Sequence, residues 1–156
     1  MKLLFKQRVF SWLDSYDIYN EEGETVYVVK GKLSLGHRLV IYDAMGEELG
    51  EIREELLTLM PRFIMEVKGV EVGEIKKEFS FFKPKFHLTC NNWTIEGDIW
   101  EWDYDVMDGS TRIMNVQKEL FHWADTYTMN IARPEDALYC LMIVLAIDAA
   151  KCSQRN

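Results

Sequence analysis

The chain has 156 residues, 48% hydrophobic and 28% charged, enough for one domain, residues 1–156, with a proper core. Its net charge of −8 argues against nucleic acid as main partner, because phosphate contacts need clustered Lys and Arg. The same charge weakens any general attraction to anionic membranes, although a local basic patch can survive within an acidic whole.

In MKLLFKQRVFSW the apolar run is cut by Lys6 and Arg8 far below the length of a signal-peptide core, and no small-residue cleavage site follows. LLFKQRVF, SYDIYN, ETVYVVKGKLS and HRLVIYDAMG read as opening strands, broken by EEGE and SLGH. A repeat begins at Gly50. GEIREELLTLMPRF returns from Gly73 as GEIKKEFSFFKPKF, aligned without a gap through Pro61 and Pro84 to Phe63 and Phe86. A looser third copy, VQKELFHWADTY, supplies Val116, Glu119 and Tyr127. Each copy continues in strict alternation, so Phe63, Met65 and Val67, then Phe86, Leu88 and Cys90, then Tyr127, Met129 and Ile131 are expected on inner strand faces. Two or three irregular copies make no stacked solenoid; duplicated hairpins in one closed sheet fit better. In WTIEGDIWEWDYDVM the apolar phase switches from Trp93, Ile95 and Ile99 to Trp100, Trp102, Tyr104 and Val106, which requires a bulge or bend near Ile99–Trp100.

The last element is a helix over about residues 134–151. Pro134, Glu135 and Asp136 suit its first turn, and Lys151 suits its last. It rises about 27 Å, but a membrane span needs about 20 mostly apolar residues, and Asp148 and Lys151 fall within that stretch. No transmembrane segment is therefore expected. Ala137 to Ile147 carry no charge, and a helix apolar all round must be enclosed all round. One sheet face cannot enclose it, whereas a large closed barrel has room for an axial helix.

The strand order with VVKGKLSLG, the hairpin YDAMGEELGEIREELLTLMPRF and the closing apolar helix resemble the LURP-one-related family, over residues 3–151. That family belongs with tubby C-terminal domains and phospholipid scramblases. The resemblance implies a mainly β fold: a twelve-stranded antiparallel closed barrel around a central hydrophobic C-terminal helix. Tubby domains bind phosphoinositide head groups through a basic surface pocket, and scramblases are membrane-associated and calcium-responsive. Kinship of fold alone transfers no activity.

Lipid head-group binding needs converging cations, and the best local group is Lys30, Lys32, His37 and Arg38 in VVKGKLSLGHRL. The plainer reading of these lysines is a strand edge kept from pairing by charge. Lys83, Lys85 and Arg62 form a second group. In the acidic stretch Glu101–Asp108, Asp103, Asp105 and Asp108 miss the spacing of a calcium loop, and Glu101, Asp103 and Asp105 read as a solvated face opposite Trp100, Trp102 and Tyr104. The histidines His37, His87 and His122 are scattered, and neither a phosphate loop nor a nucleophile elbow occurs. No residue stands out as catalytic or as a metal ligand, and no cofactor is implied. Cys90, Cys140 and Cys152 are an odd set without metal-ligand spacing, read as reduced thiols, the first two in apolar surroundings. Trp12 and Trp123 are the tryptophans best placed for a surface role.

The expected function is non-enzymatic binding of an anionic lipid head group or membrane-associated ligand on the barrel exterior, with Lys30, Lys32, His37 and Arg38 as its residues. The expected location is cytoplasmic, peripheral to a membrane. The alternative is a protein–protein interaction module without a lipid ligand; the third is a hydrolase whose site is assembled from residues distant in sequence.

Overall fold

A computed structural model of the chain describes residues 1–6, 15–119 and 126–154. Its strands are β1 (Lys2–Lys6), β2 (Ser15–Tyr19), β3 (Thr25–Gly31), β4 (Arg38–Asp43), β5 (Glu48–Glu54) and β6 (Arg62–Val67). They continue as β7 (Val70–Glu78), β8 (Lys85–Leu88), β9 (Trp93–Asp98), β10 (Asp103–Asp108), β11 (Thr111–Glu119) and β12 (Thr126–Ile131), followed by α1 (Ala137–Gln154). Each strand pairs antiparallel with the next, and β12 returns to β1 in a register from Lys2↔Asn130 to Lys6↔Thr126. The result is a closed twelve-stranded barrel with one C-terminal helix, as the sequence led us to expect.

Alternation puts one side-chain row of each strand inside. Phe63 and Met65 of β6, Phe86 and Leu88 of β8, and Tyr127, Met129 and Ile131 of β12 are buried. The inner row meets α1, in which every residue from Cys140 to Ala150 is buried, Asp148 included. Each buried Leu, Ile, Val or Met on this helix contributes about 2 kcal/mol by leaving water. The helix runs closest to β5, where Gly50 gives it room: a Cβ there would lie 2.7 Å from Met142 Cε and 2.5 Å from the Glu66 carbonyl oxygen. Aromatic rings fill the wall beside it. Tyr127, Phe5 and Trp102 pack as a trio, with Tyr127 5.2 Å from Phe5 and 4.4 Å from Trp102 and the last two 5.5 Å apart, centroid to centroid.

Three local expectations meet the structure differently. The phase change is a 3-10 turn at Ile99–Glu101, after which Trp102 takes φ 58 and the apolar row resumes on even positions. The helix begins later and ends later than the sequence suggested. Pro134–Asp136 forms a 3-10 turn held by the Arg133 guanidinium on Asp136, and the α-helical stretch starts at Ala137. Cys90 is not on an inner face: β8 stops at Leu88, residues 89–92 turn with Asn92 at φ 58, and Cys90 is exposed there.

Candidate functional site

The β3–β4 connection, residues 32–37, is closed by a hydrogen bond from the Lys32 amide to the Arg38 carbonyl oxygen, 2.9 Å. Gly36 lets it lie against the start of the β5–β6 connection: a Cβ there would come within 3.1 Å of Leu56 Cδ2 and 3.3 Å of the Glu54 backbone oxygen. Between the two connections lies a concavity of about 330 Å³. Leu33, Leu35, Leu39 and Leu56 make its apolar lining, and Lys32, His37, Arg38 and Glu54 its polar part. Leu33 and Leu35 are 85% and 93% exposed, so the apolar wall opens to solvent.

Three of the four cations expected to act together border this concavity. Lys30 does not line it; its ammonium stands 5.0 Å from the centroid of the Tyr42 ring, and Lys32 stands 6.0 Å from the same ring. The two lysines thus share Tyr42 as a cation–π platform. Among the described residues neither has a carboxylate partner. Arg38 and His37 differ. Arg38 Nε lies 2.5 Å from Glu51 Oε2, and this hydrogen bond holds the guanidinium protonated above its ordinary range. Glu51 is 6% exposed, with Arg53 3.8 Å from its other oxygen. His37 Nδ1 lies 2.6 Å from Glu54 Oε2, which also accepts from the His37 amide at 3.1 Å. Lys30 and Lys32 therefore present charge outward, while Arg38 spends its charge on Glu51 and the His37 ring is held by Glu54.

The plainer reading of the lysines fails on topology. β3 pairs with both β2 and β4 in a closed barrel, so Lys30 guards no edge. Sequence reasoning missed Tyr42, Glu54 and Leu56, which belong to β4, β5 and the connection after it. A usable signal was SLG and ELLTL, leucines set among turn residues where solvated loops carry polar ones.

The other candidates do not converge. Lys83 pairs with Asp98 at 2.9 Å, Arg62 is held by Glu55, and Lys85 stands apart on β8. Asp105 accepts from Asn115 Nδ2 at 2.9 Å and lies 3.6 Å from Arg112. Among the described residues no three His, Cys, Asp or Glu side chains are grouped to hold a metal ion. His87 lies 2.9 Å from Asn92 Oδ1 at the surface. His122, Trp12 and Trp123 lie outside the described residues. Among the described residues no helix is long and apolar enough to cross a membrane.

The chain is an antiparallel barrel whose interior is filled by its own C-terminal helix, with a leucine-walled, lysine-rimmed hollow at one end. Residues 1–148 match the model of the LURP-one-related family, and the chain belongs to that family. It is 36% identical over 149 residues to the uncharacterized protein YxjI of Bacillus subtilis, covering 95% of this chain and 92% of that one. No solved structure matches it.

Proposed function

We propose that the protein is a non-enzymatic binding module for an anionic amphiphile, a lipid head group together with the start of its acyl chains, held at the β3–β4 concavity. The observation that carries this reading is the pairing of a leucine wall with Lys32 at the rim and Lys30 beside it. A free phosphate would use the lysines and leave the leucines in water, whereas an amphiphile uses both. Arg38 and His37 contribute shape, since the Arg38 guanidinium is engaged by Glu51 and the His37 ring by Glu54.

The test is a calorimetric titration with dihexanoyl phosphatidylserine below its micelle concentration, beside inorganic phosphate. Wild type is expected to bind the lipid, more weakly as salt rises, and Lys30→Glu with Lys32→Glu to lose it. Arg38 stays in place because Glu51 depends on it. Equal binding of phosphate and lipid would reduce the site to an anion site, and no heat with either would remove the reading.

A further inference from the structure

Antiparallel order divides the connections between two ends of the barrel. Residues 32–37, 55–61, 79–84 and 99–102 lie at the end that holds the C-terminus of α1, where Ser153 Oγ is 3.5 Å from His37 Nδ1. Of eleven large hydrophobic side chains exposed among the described residues, eight sit at this end. Leu33 and Leu35 come from the β3–β4 connection, and Leu56, Leu57 and Leu59 from the β5–β6 connection. Phe79, Phe81 and Phe82 come from the β7–β8 connection. The three connections are consecutive round the barrel and adjoin one another. Leu56 lines the first concavity, and Met60 shares a second, of about 200 Å³, with Phe82 and Trp100.

Folding does not need these tips. An apolar side chain left in water gains nothing from the hydrophobic effect; scattered ones are ordinary, but a set confined to one end is a mark of contact. Leu57 adds a second sign. Its φ of 59 lies in the left-handed region, which glycine and asparagine adopt readily and a bulky side chain only at a cost, and the side chain is fully exposed. A leucine there sacrifices stability and keeps an apolar tip.

Charge leans the same way. Of the lysines with no carboxylate partner among the described residues, Lys30, Lys32, Lys77 and Lys85 are at or next to this end and Lys68 is at the other. The opposite end exposes Glu21, Glu22, Glu47, Glu71 and Glu135. This end also exposes Glu78 and Glu101, so the acid of the chain is weighted toward the other end and not confined to it.

We propose that the protein docks on an anionic bilayer by this end, with the leucine and phenylalanine tips entering the interface and Lys32, Lys77 and Lys85 remaining at head-group level. The proposal rests on the amphiphile reading of the β3–β4 concavity and extends it from one lipid to a lipid surface. Apolar groups ahead of a basic belt match a bilayer in both depth and charge. Tips on three separate loops suit a fluid interface, which needs no matching hollows, better than a rigid partner.

Flotation of the full chain with phosphatidylcholine vesicles, with and without phosphatidylserine, tests this. The variants are Leu57→Gly, the pair Phe81→Ser with Phe82→Ser, and Met45→Ser at the opposite end. Wild type and Met45→Ser are expected to float with phosphatidylserine vesicles, and both tip variants to partition about tenfold less or weaker still. Leu57→Gly should melt no lower than wild type, because glycine accepts the left-handed backbone, so its loss of flotation is not unfolding. Tip variants that float like wild type would overturn bilayer docking, while the short-chain lipid titration decides the concavity separately. Absence of flotation would overturn it too, and a dimer dispersed by the same variants in sedimentation velocity would assign the end to a second copy of the chain.

Discussion

Glu51 and Tyr104 show how single residues set what can be changed. Glu51 is buried on the barrel wall, and Arg38 is its nearest cation, so Arg38→Ala leaves a carboxylate under-paired. We expect a loss on the order of 2 kcal/mol in urea denaturation, against almost none for Lys32→Ala, and equal effects would contradict the assignment. The Tyr104 hydroxyl is buried with no hydrogen-bond partner among the described residues, and burial, then the charges of Asp148 and Cys140, push its pKa well above the ordinary 10.0. Burial likewise raises the Cys140 thiol above its ordinary 9.0. Both groups ionise more readily in the unfolded chain. Their stabilising contribution is complete below those ordinary values and is lost as pH rises through and beyond them. Urea midpoints should fall above about pH 9, less steeply in Tyr104→Phe, and a midpoint constant up to about pH 11 would refute this. Lys30, Lys32, His37 and Arg38, close in sequence, were legible as a group. That Glu51 and Glu54 engage two of them was not, because it depends on the β4–β5 register, which no local pattern encodes.

At the scale of elements, the helix and the glycine beside it are coupled. Gly50→Ala forces a Cβ against the Glu66 carbonyl oxygen and Met142, and an expected cost of about 2 kcal/mol would be read as a lower urea midpoint with an unchanged slope. An unchanged midpoint would mean that α1 can move off β5. The helix was legible because an all-apolar surface has one physical solution, enclosure. Its start was not, since Pro134, Glu135 and Asp136 suit a 3-10 turn as well as the first turn of an α-helix. The inner rows of β6, β8 and β12 followed from period two; Cys90 was misplaced because alternation does not announce where a strand stops.

The whole molecule has a filled interior and two unlike ends. Closure satisfies the strand edges and α1 occupies the core, so the proposed ligand surface is on the loops and the outer wall. The family resemblance indicated the barrel, but only the strand directions collect Leu35, Leu57 and Phe81 at one end and Glu22, Glu47 and Glu135 at the other. The most direct test places an environment-sensitive fluorophore on Leu57→Cys or on Met45→Cys, with Cys90 and Cys152 replaced by serine and buried Cys140 left in place. On adding phosphatidylserine vesicles, emission from position 57 should shift to the blue while emission from position 45 stays unchanged. A shift at position 45, or none at position 57, would contradict the orientation and with it the loop-bearing end as the working surface.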